Sequence, residues 1–102
     1  MTITEPRLIY VSGRIKDYED HPKHFARGCG FIRALGHEPL SPLDVIPDED
    51  TYEGYMRADI RALLECDAIY MLRGWEQSAG ARCEHLVAAM CGIEIMYEKE
   101  PL

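Results

Sequence analysis

Two acidic residues within predicted helices are the first candidates for chemistry. Glu84 lies near the start of a helical stretch whose later positions are apolar and rich in Ala. A helix dipole favours a carboxylate there, so Glu84 is either a structural charge or a nucleophile or general base facing a cleft. Asp59 falls in the middle of YMRADIRALL, where Asp is a poor helix former. It is either an exposed charge between two arginines or a cleft residue that orients a partner.

Small residues and backbone amides form a second group of candidates, which could bind a ligand. Ser78 and Gly80 belong to the segment SAGA, and small residues before a helix let N–H groups approach an anion closely. Many strand-to-helix turns have this composition, and the segment is neither a Walker motif nor GxGxxG. Tyr10, Ser12 and Gly13 end an apolar run. A Ser-Gly pair there serves a tight turn or overlooks a site.

Trp75 and the histidines are less informative. Trp75 follows the apolar run at residues 68–72, and it either packs through its large apolar surface or stacks on a base. No pair of histidines matches HxxxH or HExxH, and none of the four cysteines forms a CxxC pair. The sequence therefore predicts no metal site. With no signal peptide in MTITEPRLIYVSG, we expect a cytoplasmic protein whose cysteines are reduced and buried or half-buried.

Composition excludes some classes of partner. The 102 residues suit one domain, residues 1–102. A formal net charge of −7 argues against binding of a nucleic acid polymer, which needs clustered Lys and Arg. A local pocket can still bind an anionic small molecule. The apolar runs are shorter than the roughly 20 residues that span a bilayer, so we expect no membrane partner.

The elements that would position these residues alternate along the chain. Apolar runs predict strands at 7–13, 37–42, 68–72 and 93–98, and helical spacing predicts helices at about 24–35, 52–66 and 81–92. In the second helix, helical spacing gives an apolar face of Tyr55, Met56, Ile60, Leu63 and Leu64. The third helix would bury Leu86, Val87 and Met90 on its apolar face. This order is typical of an α/β protein with a parallel sheet covered by helices. Ligands of such sheets bind at the carboxyl ends of strands, near a topological switch point, where the segments 10–18 and 73–84 would lie.

Three segments together resemble a known family. IYVSGRI (9–15), DIRALLECDAIYML (59–72) and SAGARCEHLVAAMCGIEI (78–95) resemble the nucleoside 2-deoxyribosyltransferase superfamily. The resemblance is to its small branch of 2′-deoxynucleoside 5′-monophosphate N-glycosidases and related phage and bacterial domains of unassigned function. It covers most of the chain and is loose only in two loops. It implies a small flavodoxin-like (Rossmann-like) three-layer sandwich with a four- to five-stranded, mainly parallel sheet.

The resemblance also implies roles for single residues. Glu84 matches the nucleophile that attacks the anomeric carbon, and Asp59 matches the residue that orients the sugar or assists proton transfer. Tyr10 matches a tyrosine near the sugar. Ser78 and Gly80 match the loop that holds the 5′-phosphate.

The first turn departs from the family pattern. Gly13 matches its glycine, but Arg14 follows where the family usually has Pro or Ser. An arginine there could fork onto phosphate oxygens or fill the pocket. Arg73 and Arg82 are further candidates for a phosphate contact, and each is otherwise a solvated charge.

The sequence therefore predicts an enzyme that cleaves or exchanges the N-glycosidic bond of a (deoxy)nucleoside or nucleoside 5′-monophosphate, without a metal or cofactor. The alternative is a non-catalytic module on the same fold that binds, senses or sequesters nucleotides. Because a four-stranded sheet has exposed edges, we expect a homodimer or a higher even homo-oligomer.

Overall fold

Strands and helices alternate through the computed structural model, which describes residues 5–100. The α-helices have 14, 13 and 12 residues, and none within residues 5–100 is long and apolar enough to cross a membrane. Two short 3₁₀ turns, Pro42–Asp44 and Trp75–Gln77, follow the second and third strands. The elements in order are β1 Leu8–Ser12, α1 His21–Ala34, β2 Glu38–Leu40, α2 Tyr52–Leu64, β3 Ala68–Met71, α3 Ala79–Met90 and β4 Glu94–Tyr97.

Local sequence explains where the two helices nearest the candidate residues begin. Thr51 caps α2, because its hydroxyl oxygen accepts a hydrogen bond from the amide of Gly54 at 2.9 Å. Ser78 caps α3 in the same way, through the amide of Ala81 at 3.1 Å. Such caps satisfy amides that the first turn of a helix leaves without a partner. Both helices therefore begin at defined positions beside the carboxyl ends of the strands.

The sheet has four parallel strands in the order β2-β1-β3-β4. In this order β2 and β3 lie on either side of β1. The connection from β1 to β2 therefore runs in one direction across the sheet, and the connection from β2 to β3 runs in the opposite direction, past β1. Right-handed crossovers place connections that run in opposite directions on opposite faces of the sheet. The point between β1 and β3 is thus a topological switch point, where a crevice opens at the carboxyl ends. The predicted α/β, flavodoxin-like three-layer architecture is confirmed.

The two faces of the sheet bury different residues. The face covered by α1, called the α1 face below, is an apolar core formed by Ile9, Val11, Phe25, Cys29, Ile32, Ala68, Tyr70 and Leu72. The opposite face, called the α2/α3 face, carries the second apolar cluster of Tyr10, Leu63, Cys66, Ile69, Met71, Ala81 and Ala88. Successive residues of a strand point to opposite faces. Alternate residues of β1 therefore enter the two layers.

The prediction for the buried side of α3 is wrong for two of its three residues. Leu86 and Met90 are exposed, and only Val87 packs partly against the core. The helix instead turns Ala81, Glu84 and Ala88 toward the sheet. Small residues let a helix approach the sheet closely, and the larger apolar side chains then remain outside.

The cysteines are free thiols. Cys29 and Cys66 are buried, as expected, whereas Cys83 and Cys91 are exposed on or just after α3. The expectation of buried or half-buried thiols therefore holds for two of the four.

Candidate active site

A cleft of about 820 Å³ opens at the carboxyl edge of the sheet. It is lined by the loops after β1 and β2, by the first half of α2 and by the segment that leads into α3. Its volume lies in the range of small-molecule sites. The cleft therefore lies where the strand order predicts a ligand site.

Glu84 lies at the bottom of this cleft with both carboxylate oxygens bonded. The Tyr10 hydroxyl donates to Oε2 at 2.6 Å, and the Ser12 hydroxyl donates to Oε1 at 2.7 Å. Tyr10 and Ser12 are two positions apart in β1 and so point to the same face, toward the second turn of α3. Only 5% of Glu84 is exposed. Its carboxylate is therefore held in one orientation.

Burial also sets the protonation of these groups. Desolvation raises the pKa of Glu84 to about 7, the hydrogen bonds from Tyr10 and Ser12 oppose this rise, and the negative charge of Asp59 adds to it. Burial, followed by the nearby charges of Glu84 and Asp59, raises the pKa of Tyr10 far above its ordinary value. Tyr10 therefore keeps its proton and remains a donor, whereas Glu84 exchanges its proton near neutral pH.

Asp59 lines the same cleft from α2. It is 8% exposed, and its Oδ1 is buried without a hydrogen-bond partner among the residues that the structure describes. Burial raises the pKa of Asp59 to about 6. A buried acceptor without a donor costs about 1–3 kcal/mol, which a ligand hydroxyl or amine would recover.

The start of α3 combines a helix N-terminus with small residues. Ser78 and Gly80 both line the cleft, but the Ser78 hydroxyl already accepts from the amide of Ala81. The first amides of any helix lack an intrahelical acceptor, and such groups bind anions. Gly80 also has a packing role, since a Cβ atom there would lie 3.2 Å from the Met56 sulfur. This glycine lets α2 and α3 approach each other at the cleft.

The loop after β1 forms another wall. Gly13 lines the cleft, and a Cβ atom at that position would lie 3.0 Å from Leu72 Cδ1, so glycine lets the loop pack on the end of β3. Arg14 donates to the Gln77 side-chain oxygen at 3.1 Å and to the Asp17 carbonyl at 3.3 Å. The side chain therefore bridges two loops at the mouth of the cleft.

Three other candidates lie away from this cleft. The ring of Trp75 stacks on His85 with 4.3 Å between centroids and packs partly against the core, which favours packing over stacking on a base. The Arg73 amide donates to a Glu98 oxygen at 2.9 Å, and its guanidinium donates to the same oxygen. The Arg82 guanidinium donates to the carbonyl of Glu76. Neither arginine lines the cleft.

Sequence reasoning missed several residues that line the cleft. Lys16 and Gln77 were not singled out, and the helical spacing assigned Tyr55 and Met56 to an apolar face of α2. Both line the cleft together with Tyr52. The available signal was spacing, because Tyr52, Met56 and Asp59 follow the i, i+4, i+7 pattern of one helix face.

Comparisons with known proteins give a family and a fold. Residues 7–97 match a family model described as "Domain of unknown function (DUF4406)". A 2-deoxyribosyltransferase from Bacillus psychrosaccharolyticus superposes with a TM-score of 0.72 at 20% identity, over 93% of this chain and 76% of that one. A 2-desoxiribosyltransferase from Leishmania mexicana superposes with a TM-score of 0.70 at 23% identity, over 90% of this chain and 63% of that one. No match was found among curated protein sequences.

The two superpositions have a common meaning for the fold. Both cover nearly all of this chain, which therefore has the nucleoside 2-deoxyribosyltransferase-like fold that the sequence resemblance implied. The chain spans less than two thirds of the Leishmania protein. At identities of 20% and 23%, the superpositions show the fold but not the activity, which has to be argued from the site.

Proposed function

The chain belongs to the DUF4406 family, for which no function is assigned, and we propose that it cleaves or exchanges the N-glycosidic bond of a (deoxy)nucleoside or nucleoside 5′-monophosphate. One observation carries the proposal. A buried Glu84 is held by two hydroxyl donors at the bottom of a cleft that a second buried acid, Asp59, also lines. A site built only to bind an anionic nucleotide has little use for two buried acids, each of which ionises at a cost.

The chemistry follows from the two acids. In the first step a Glu84 oxygen attacks the anomeric carbon, the C1′–N bond breaks, and its electron pair leaves with the base. Asp59 supplies a proton to that base. The reacting form has Glu84 ionised and Asp59 protonated, and it is a minor form of the free site, because the pKa of Glu84 (about 7) lies above that of Asp59 (about 6). The transition state resembles an oxocarbenium ion, which the Glu84 carboxylate stabilises. The product of this step is a glycosyl ester on Glu84.

The second step releases the sugar. Water attacks the anomeric carbon and returns a proton to Asp59, and the ester bond breaks to restore the Glu84 carboxylate. A second base that attacks instead of water yields a new nucleoside. Tyr10 and Ser12 act in both steps by holding the carboxylate oxygens, so that the attacking oxygen keeps its position.

Features of the cleft mouth support a 5′-phosphate as part of the substrate. Arg14, Lys16 and Asp17 line the cleft together with the first residues of α3, whose free amides can bind an anion. In a chain with a net charge of −7, two cationic side chains beside free amides favour an anionic ligand locally. Under this proposal Ser78 acts through the cap that holds the first turn of α3, and Gly80 leaves the backbone open to the phosphate.

A panel of nucleosides and nucleoside 5′-monophosphates tests the proposal, with free base measured by chromatography. We expect base release from at least one substrate and a loss of about 10³-fold or more in Glu84→Gln, because the nucleophile is removed. Glu76→Gln is the matched control, since Glu76 is an exposed acid of the same segment, and it should retain full activity. Addition of a second base separates exchange from hydrolysis.

Two results would contradict the enzyme. Nucleotide binding without base release from any substrate would leave the non-catalytic binding or sensing module. Base release that persists in Glu84→Gln would show that another group attacks the anomeric carbon.

We also propose that the chain forms a homodimer or a higher even homo-oligomer. Leu86 and Met90 of α3 are exposed, and β2 and β4 are open edges of the sheet. Both features favour association with a second copy. Light scattering tests this, and a monomeric mass at micromolar concentration would refute it.

A further inference from the structure

The helix α2 presents two tyrosines to the cleft. Tyr52 is 60% exposed and Tyr55 is 43% exposed, and they are the aromatic side chains among the residues that line the cleft. A tyrosine ring carries a large apolar surface that is usually buried. Two such rings left uncovered inside one cleft indicate a ligand that covers them.

The spacing along α2 relates these rings to the acid. Tyr55 lies one turn before Asp59, which is about 6 Å along the helix axis, and Tyr52 lies about 10 Å from it. Tyr52, Met56 and Asp59 share one face of the helix. The wall therefore continues from the buried carboxylate to the mouth of the cleft.

The walls of the cleft differ in chemistry. Met56 of α2 and Leu43 and Val45 of the loop after β2 extend the aromatic surface with apolar side chains. Arg14 and Lys16, by contrast, come from the loop after β1. The same loop also brings Asp17 to the cleft, so one cleft offers an acidic bottom, a charged wall and an aromatic wall.

We infer, building on the proposed function, that Tyr55 together with Tyr52 forms the base-binding surface of this site. The planar base stacks on the Tyr55 ring while the sugar lies at Glu84 and Asp59. Leu43, Val45 and Met56 bring no polar side chain that could read the hydrogen-bonding edge of a base. Stacking tolerates every base because each has a π-face. The selectivity of this surface therefore follows ring area, with purine nucleotides bound more tightly than pyrimidine nucleotides.

Binding measured by calorimetry tests this surface, in a Glu84→Gln background so that no ligand is consumed. The ligands are a purine deoxynucleoside 5′-monophosphate, its pyrimidine counterpart, and 2-deoxyribose 5-phosphate, which lacks a base. Tyr55→Ala should weaken purine nucleotide binding roughly 5- to 100-fold and leave the affinity for the sugar phosphate unchanged. Tyr55→Phe should retain the affinity, because the ring is kept.

Tyr97→Ala is the matched control. Tyr97 is 53% exposed and does not line the cleft, so its removal should leave all affinities unchanged. The inference is overturned if Tyr55→Ala binds the purine nucleotide as tightly as the parent does. It is equally overturned if the affinity for 2-deoxyribose 5-phosphate falls as much as the affinity for the purine nucleotide. It is also overturned if Tyr55→Phe is as weak as Tyr55→Ala, or if the pyrimidine nucleotide binds as tightly as the purine nucleotide.

The binding data, together with the base-release assay, separate this inference from the proposed function. Nucleotide binding that depends on Tyr55, in a protein that releases no base, would support the base surface and refute the enzyme. Base release by the wild-type chain with an unchanged KM in Tyr55→Ala would support the enzyme and refute the base surface. No nucleotide binding would overturn the base surface.

Discussion

The two faces of the sheet use neighbouring residues of one strand for opposite purposes. Ile9 and Val11 of β1 are fully buried in the apolar α1 face, and Tyr10 and Ser12 are equally buried on the α2/α3 face. The difference lies in what they meet. The first pair meets hydrocarbon, whereas the second pair donates hydrogen bonds to Glu84. Burial alone therefore does not distinguish a core from a site, but the buried polar atoms do.

The energetic consequences differ as well. On the α1 face, burial of apolar side chains stabilises the fold by about 1.5–3 kcal/mol for each large residue. On the α2/α3 face, two buried acids have raised pKa values, so each one ionises at a cost to the folded state. Such local losses are typical of functional sites. Apolar burial on the α1 face thus offsets the cost of the buried acids on the α2/α3 face.

The largest expected effect comes from placing a polar atom on the wrong face. Val11→Ser should lower the free energy of unfolding by about 3–4 kcal/mol, since it removes buried methyl groups and buries a hydroxyl without a partner. Urea unfolding measures this change. Ser12→Ala, one residue away on the other face, should cost less, about 1–2 kcal/mol, because Oε1 of Glu84 loses its donor but Oε2 keeps its bond from Tyr10.

Val11→Thr is the control for shape, since it keeps the side-chain volume and replaces one methyl group with a hydroxyl. Because that hydroxyl is buried without a partner, Val11→Thr should lower the free energy of unfolding by about 1–3 kcal/mol. An equal decrease in the free energy of unfolding for Val11→Ser and Ser12→Ala would contradict the distinction between the two faces.

The local pattern of the sequence was sufficient for the architecture. The apolar run around β1 and the alternation of strands with helices predicted the parallel sheet. Such patterns can be recognised because the periodicity of apolar residues in strands and helices is a local property of the sequence. The same reading placed Glu84 and Asp59 as candidates, and the structure brings both to one cleft. A charged residue inside a periodic apolar pattern can be recognised from the sequence alone.

Tertiary packing decided what the sequence could not predict. The exposure of Leu86 and Met90 depends on how closely the small residues of α3 approach the sheet, which no helical period encodes. Trp75 stacks on His85, a residue ten positions later. Tyr55 looked like a core residue because an apolar stripe has the same spacing whether it faces a core or a cleft.

A smaller effect should come from the unpartnered acid of the α2/α3 face. The pKa of Asp59 rises from 3.8 to about 6 on folding, so the folded chain binds more protons than the unfolded chain between these values. Stability therefore falls as pH rises through this window. Asp59→Asn removes that penalty and should raise the free energy of unfolding by about 1–2 kcal/mol at pH 8, with the gain lost near pH 4.

Asp48→Asn is the matched control for this effect. Asp48 is exposed and pairs with Arg61 at 3.3 Å, an arrangement worth little, so its replacement should give nearly the same small change at both pH values. A destabilised Asp59→Asn at pH 8 would contradict a cost of ionisation at this position.

The smallest effect concerns the two hydroxyls that hold Glu84. Tyr10→Phe and Ser12→Ala each remove a donor to the ionised carboxylate, so each should raise the pKa of Glu84 above about 7, by about one unit. Carboxyl ¹³C NMR measures this shift without any need for turnover. Under the proposed function, the acid limb of kcat/KM should move to higher pH by the same amount.

Tyr70→Phe provides the comparison on the opposite face. Tyr70 is a buried tyrosine of the α1 face that stacks on Phe31, so its hydroxyl should have no effect on Glu84. An equal shift in Tyr70→Phe would mean that the pKa of Glu84 responds to general loosening of the sheet. A shift confined to Tyr10→Phe and Ser12→Ala would show that alternate residues of one strand control the acid and the core separately.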